Sequence, residues 1–112
     1  MTSMRGLIAV IALSAVAVGA GNVAAANLDA GKKFATDICV ACHGLDGNSP
    51  NPDYPKIGGQ HPDYLAKALR DYQSGARNNA IMKGFATMLK EGDIEDVAAY
   101  YAKQPQAVSY RK

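Results

Sequence analysis

Residues 39–43 read Cys-Val-Ala-Cys-His, and their types and spacing carry the strongest chemical signal in the chain. Two thiols separated by two residues, with a histidine directly after the second, form the attachment pattern of a c-type haem. One helical turn can present both thiols to the vinyl groups of one macrocycle, and the following imidazole can then bind the iron. We therefore predict one haem c per chain, bonded through Cys39 and Cys42, with His43 as an iron ligand.

Three other interpretations of this motif have less support. A structural zinc site needs four ligands, commonly from two such pairs, whereas this chain has two Cys and one further His, His61. A thioredoxin-like redox pair is expected near a βαβ pattern, and no strand-like alternation is long enough to build one. A structural disulfide between the two thiols stays open as an alternative.

The amino-terminal residues have the features of a secretory signal peptide. Arg5 supplies positive charge, residues 7–18 form an apolar run, and small residues at 24–26 place cleavage before Asn27. The apolar run is too short for a transmembrane span, although an uncleaved anchor remains an alternative. Covalent haem attachment takes place outside the cytoplasm in bacteria. We therefore expect a signal peptide at 1–26, a periplasmic location and no membrane span after cleavage.

Residues 27–112 then form one small domain of nearly balanced charge. The whole chain has 12 Lys and Arg against 10 Asp and Glu, without a basic stripe that would suggest nucleic acid. It has no Trp and only two Phe, and a domain of this size is marginally stable alone. Because a buried haem would add apolar contact, we expect the apoprotein to be poorly folded.

Hydrophobic periodicity predicts an all-α fold with three main helices. The first covers about 28–38 and leads into the haem motif. The second begins at Pro62, where a missing N–H is harmless, and Gly75 fits a left-handed cap at its end. The third covers about 93–104, with Asp93 as its N-cap.

Apolar residues at helical spacing should pack these helices together. We expect Gly31 and Phe34 of the first helix to meet an apolar face of the third, which consists of Ile94, Val97, Ala98 and Tyr101. Residues 44–60 are rich in Gly, Pro and Asn, and a loop of this length suggests that it wraps the haem edge. Residues 76–91 are less regular, with room for a short helix.

A single axial histidine leaves one iron position open, and four downstream residues could fill it: Met82, Met88, His61 and Lys83. A thioether is a soft, neutral ligand that raises the potential of haem iron. Met82 lies in an irregular stretch where a side chain can be aimed, whereas Met88 also fits a core-filling role. His61 fits an exposed or capping position, and Lys83 a solvated charge. Spacing alone does not separate the two methionines.

The ordered motifs resemble those of the class I c-type cytochromes, most closely the small periplasmic single-haem type and one half of the two-haem periplasmic type. The similar stretches are Cys-His-Gly-Leu-Asp-Gly-Asn-Ser-Pro at 42–50, Tyr-Pro-Lys-Ile-Gly-Gly-Gln at 54–60, Met-Lys-Gly at 82–84 and Ala-Ala-Tyr-Tyr at 98–101. The resemblance covers nearly all of 28–104. It implies a small all-α fold, with three main helices, short helices and loops around one covalently bound haem.

The resemblance also implies roles for single residues. Met82 falls at the family's Met ligand, which favours it over the alternative, and Pro55 matches the Pro whose carbonyl accepts the ring N–H of the axial His. Gly31 matches the helix-contact glycine. Ala35 stands where many relatives have an aromatic residue, with Phe34 beside it. No second C-x-x-C-H follows, so we expect one module rather than two.

A haem iron with both axial positions filled has no ready site for a substrate. We therefore predict an electron-transfer protein rather than an enzyme, which exchanges single electrons with redox partner proteins in brief, small contacts. The donor would be a reductase or dehydrogenase, and the acceptor an oxidase or reductase. The alternatives are a cytochrome subunit of a larger periplasmic oxidoreductase complex, an enzyme or gas sensor with an open iron site, and a zinc or disulfide protein without haem.

Overall fold

The computed structural model describes residues 6, 9–16 and 25–106. Within them the chain forms five α-helices, and a π-helical turn (Ala35–Cys39) joins the first two. The helices are α1 (Leu28–Phe34), α2 (Val40–His43), α3 (Pro62–Ser74), α4 (Ala80–Ala86) and α5 (Glu91–Ala102). These residues contain no strand, which confirms the all-α prediction.

The structure describes only part of the amino-terminal segment. The expected signal peptide at 1–26 lies largely outside the described residues, and its described stretch 9–16 is irregular and exposed. In the portion of the chain that the structure covers, no helix combines the length and apolar character needed to cross a bilayer.

The first predicted helix continues past its expected end at residue 38. Asn27 caps α1, because its side chain accepts a hydrogen bond from the Ala30 backbone N–H at 3.0 Å. At the π-helical turn the Val40 N–H reaches back to the Ala35 carbonyl, one residue further than in an α-helix. The chain then continues as α2, which ends at His43. One nearly continuous helical segment therefore carries the whole Cys-Val-Ala-Cys-His motif.

The boundaries of α3 agree with the sequence, because Pro62 opens the helix and Gly75 follows its last residue with φ +84°. The predicted N-cap of the last helix is wrong. Helix α5 begins two residues earlier, and the Asp93 carboxylate accepts a hydrogen bond from the Lys90 backbone N–H at 2.9 Å. Asp93 therefore lies inside the first turn, where negative charge also suits the helix dipole.

Helices α1 and α5 meet as predicted, but through a different face of α5. A Cβ placed on Gly31 would lie 2.1 Å from the Asp96 carbonyl oxygen and 2.9 Å from Tyr100 Cβ. The predicted apolar face instead enters the central core, which α3 also joins. Helix α5 thus has two buried sides, one against α1 and one in the core that it shares with α3. Hydrophobic periodicity in the sequence identifies only the second side, which is the more apolar. Phe34 packs at the margin of that core.

Residues 44–61 are non-helical, as predicted for 44–60, and hydrogen bonds tie this loop to α5 and to the segment that follows α5. The Gly59 N–H donates to the Tyr101 carbonyl at 2.9 Å. The Asn48 side-chain amide donates to the Pro105 carbonyl at 2.7 Å. These contacts hold the loop whose Pro55 carbonyl contacts His43.

Candidate functional site

Two adjoining cavities, of about 240 and 160 Å³, open beside the Cys-Val-Ala-Cys-His segment. Both are lined by Cys39, His43, Pro55, Tyr72 and Met82. Because they share these walls, the two cavities form one cleft.

The walls of the cleft are mainly apolar and come from the loop and from helices α3, α4 and α5. The larger cavity is lined by Ile57, Leu65, Ala68, Leu69, Leu89, Val97, Ala98 and Tyr101, among others. The smaller one adds the polar side chains of Asp53 and Asn79 and the residues Ile38, Cys42, Tyr54, Ile81 and Phe85. Such walls suit a flat apolar ring and exclude water from it.

His43 is buried at the carboxyl end of α2, with 8% of its surface exposed. Its Nδ1 lies 2.9 Å from the Pro55 carbonyl oxygen. Since a carbonyl oxygen only accepts, Nδ1 carries the hydrogen and donates it, which leaves the Nε2 lone pair free to bind a metal. The structure thus contains the contact with Pro55 that the resemblance implied.

Cys39 and Cys42 are free thiols, each half-buried, and both line the cleft. They do not form the disulfide that the sequence left as an alternative. Burial raises the pKa of the Cys39 thiol to about 11, a direction that the neighbouring Cys42 reinforces and a hydrogen bond with Tyr101 opposes.

Met82 is the one candidate sixth ligand that lies at the cleft. It belongs to α4, not to an irregular stretch as predicted, and its backbone N–H donates to the Asn79 side chain at 3.0 Å. Met88 is 62% exposed, so it neither lines the cleft nor fills the core. His61 and Lys83 are also exposed and lie outside the cleft.

The sequence assigned a core role to Tyr101 and no role of its own to Tyr100, and the structure gives both tyrosines a polar role. The Tyr100 hydroxyl donates to the Leu45 carbonyl at 2.7 Å, and the Tyr101 hydroxyl donates to the Gly44 carbonyl at 3.0 Å. Both bonds hold the backbone directly after His43. Burial raises the pKa of Tyr101, with Cys39 as a further cause. A buried tyrosine hydroxyl needs a hydrogen-bond partner, so a tyrosine on a predicted core face is itself a sequence signal for such a polar contact.

Arg77 is a second site residue that periodicity did not reveal. Its guanidinium lies 5.0 Å from the centre of the Tyr72 ring, and both residues line the larger cavity. A cation over an aromatic face is held in place by the ring quadrupole. Arg77 therefore brings a positive charge to a mainly apolar cleft, which Lys56 also lines.

These residues together fit a covalently attached haem. Two thiols, an imidazole with a free nitrogen and a thioether lie around one apolar cleft. A zinc site has no comparable support, since the described residues bring no three His, Cys, Asp or Glu side chains together.

Comparison with known proteins gives a consistent result. A protein-family model described as Cytochrome c matches residues 28–104. Cytochrome c4 of Pseudomonas aeruginosa is 40% identical over 102 residues, which cover 91% of this chain and 48% of that protein. The crystal structure of reduced recombinant cytochrome c4 from Pseudomonas stutzeri superposes with a TM-score of 0.69 at 38% identity, over 79% of this chain and 50% of that one.

The name of a further relative describes it as a subunit of an enzyme. The cytochrome subunit of sulfide dehydrogenase of Chlorobaculum tepidum is 36% identical over 63 residues, which cover 56% of this chain and 56% of that protein. The chain spans about half the length of the cytochrome c4 relatives that it matches.

Proposed function

Because the chain belongs to the cytochrome c family, we propose that it carries single electrons between redox proteins of the periplasm through one haem ligated by His43 and Met82. The family's cofactor is haem c with its iron, held covalently here by Cys39 and Cys42. Its members transfer electrons rather than act as enzymes. The observation that supports the ligand pair is that His43 and Met82 line both parts of the cleft.

Each site residue has a distinct part in this proposal. The Pro55 carbonyl fixes the orientation of the His43 ring, and the thioether of Met82 is a neutral ligand that favours the reduced state. The haem supplies the one-electron change between ferric and ferrous iron. The apolar walls limit solvent rearrangement during that change, which keeps the exchange fast.

The axial assignment is tested by the absorption spectrum of the oxidised holoprotein. We expect a low-spin c-type spectrum with a weak long-wavelength sulfur–iron band. Met82→Ala should abolish that band, and the matched variant Met88→Ala should retain it, because Met88 is exposed outside the cleft. Loss of the band in Met88→Ala, or carbon monoxide binding to the reduced wild type as fast as to Met82→Ala, would contradict the assignment.

The periplasmic part of the proposal rests on the signal-like residues 1–26 and on the attachment motif. Expression in a host that attaches haem should yield a periplasmic product that begins at Asn27. Its mass should equal that of residues 27–112 plus one haem. A colourless product with the mass of the bare polypeptide would contradict the haem assignment.

A second candidate function is that of a cytochrome subunit in a larger periplasmic oxidoreductase. The observation in its favour is the sulfide dehydrogenase subunit among the relatives. Under this proposal the tagged protein should co-purify with a dehydrogenase partner in fixed ratio from its native periplasm. Recovery as a free monomer would favour the mobile carrier.

A further inference from the structure

Helix α4 carries Met82 and buries little apolar surface against the other helices. Ala86 is its buried residue, and the apolar side chains of Ile81 and Phe85 line the smaller cavity of the cleft. The helix packs chiefly against α3 and has only seven residues. Because α4 buries little apolar area against the rest of the protein, hydrogen bonds at its ends contribute to holding it in place.

A single side chain of α3 supplies such a contact at the carboxyl end of α4. The Gln73 side-chain amide donates to the Ala86 carbonyl at 2.7 Å and to the Leu89 carbonyl at 2.9 Å. An amide nitrogen carries two hydrogens, so both bonds form at once. They join α3 to the turn through which the chain leaves α4 and enters the core at Leu89.

The location of these bonds links them to the cleft. Gln73 follows Tyr72, which lines both cavities, and Leu89 lines the larger one. Gln73 and both carbonyls are at least half-buried, where water competes poorly for their hydrogen bonds. At the other end of α4, Asn79 caps the helix through the Met82 N–H. The Gln73 amide therefore holds the carboxyl end of α4, as Asn79 holds its amino end.

We infer that Gln73 is a positioning residue that keeps α4, and with it the Met82 thioether, in place against the iron. The inference rests on the proposed function, because it requires Met82 to be the sixth ligand. Gln73 itself does not line the cleft. Its effect passes through the backbone of Ala86 and Leu89.

The test compares holoproteins with Gln73→Met and Gln73→Lys. Both side chains are long, unbranched and suited to a helix, but only Lys can donate to the two carbonyls. Carbon monoxide is the probe, since it binds reduced iron only when the thioether has moved away. We expect association to be about tenfold faster in Gln73→Met, which corresponds to about 1.4 kcal/mol. Gln73→Lys should stay near the wild-type rate.

Two further variants test whether a change in the rate of carbon monoxide binding is due to the lost hydrogen bonds of Gln73. Arg70→Met, one turn earlier on α3, removes ion pairs with Glu91 and Glu95 of α5 and should leave the rate within about twofold of wild type. Gln73→Glu keeps the shape of Gln but is acceptor-only when ionised, so it serves as a second donor-free variant.

The outcomes separate the two claims. If Met82→Ala keeps the sulfur–iron band, the ligand assignment fails and the role of Gln73 fails with it. If Met82→Ala loses the band while Gln73→Met and Gln73→Glu bind carbon monoxide like the wild type, the inference about Gln73 alone is wrong. It is also wrong if Gln73→Lys is as fast as Gln73→Met.

Discussion

Gly31→Ala tests the crossing of α1 and α5, because one added carbon would meet the backbone of the other helix. The new Cβ would lie 2.1 Å from the Asp96 carbonyl oxygen, whereas ordinary contacts begin near 3.4 Å. The nearest atoms belong to the main chain and to Tyr100 Cβ, so no side-chain rotation removes the clash. The two helices must therefore move apart by roughly 1 Å, which is typical of core overpacking.

The expected magnitude follows from two opposing effects. Overpacking costs about 1–3 kcal/mol, and a clash with backbone falls in the upper part of that range. Alanine regains up to about 1 kcal/mol through its helix propensity. We expect the free energy of unfolding to fall by about 2 kcal/mol, which lowers the melting temperature by roughly 8–16 °C in a domain of this size.

The assay is guanidinium unfolding of the holoprotein, followed by far-ultraviolet circular dichroism. Gly84→Ala is the matched control, because an added Cβ there meets no atom within 4 Å and the residue lies inside α4. That change should raise stability by about 0.5–1 kcal/mol. Gly92→Ala, equally open in the first turn of α5, should behave in the same way. If Gly31→Ala is as stable as these controls, the reasoning about the crossing is refuted.

Two further substitutions test hydrogen bonds around the cleft. Tyr101→Phe removes the bond to the Gly44 carbonyl and should cost about 1–2 kcal/mol of unfolding free energy, measured by thermal denaturation. Burial raises the pKa of Tyr101, so the wild type should lose stability as pH rises above about 10. The Phe variant should lose less, and an equal loss of stability in both proteins at alkaline pH would contradict this. Asn79→Ala removes the cap at the Met82 N–H and should cost about 1 kcal/mol. Asn79→Asp should largely restore it, and an Ala variant as stable as wild type would show that the cap contributes nothing.

The sequence predicted the helical elements most reliably where local chemistry marks their ends. Pro62 and Gly75 bound α3 because each has a backbone restriction that suits one position. The predicted start of α5 was wrong because an acidic residue near the start of a helix can have either of two roles. It can be the N-cap itself, or it can lie three residues after the N-cap and accept a hydrogen bond from the N-cap's backbone N–H. Asp93 has the second role, because its carboxylate accepts a hydrogen bond from the Lys90 backbone N–H, and only the folded position of Lys90 reveals this.

The site was predictable in its covalent part and less so in its surroundings. The Cys-Val-Ala-Cys-His spacing is local, so both thiols and His43 could be identified without a fold. The preference for Met82 over Met88 needed the resemblance, because either lies within reach along the chain. The partners of Gln73, Tyr100 and Tyr101 are backbone carbonyls distant in sequence, and no side-chain pattern marks a carbonyl.

The π-helical turn between α1 and α2 has a consequence for protein engineering. It accommodates one more residue than an α-helix over the same rise, which changes the angular offset between Gly31 and Cys39 by about 100°. Deleting one residue from 35–38 would straighten the helix and leave the sulfurs in their present direction, whereas straightening it at unchanged length would rotate them away by about 100°. A designer who grafts this cofactor motif onto an idealised straight helix must therefore keep the bulge or shift the contact glycine by one position.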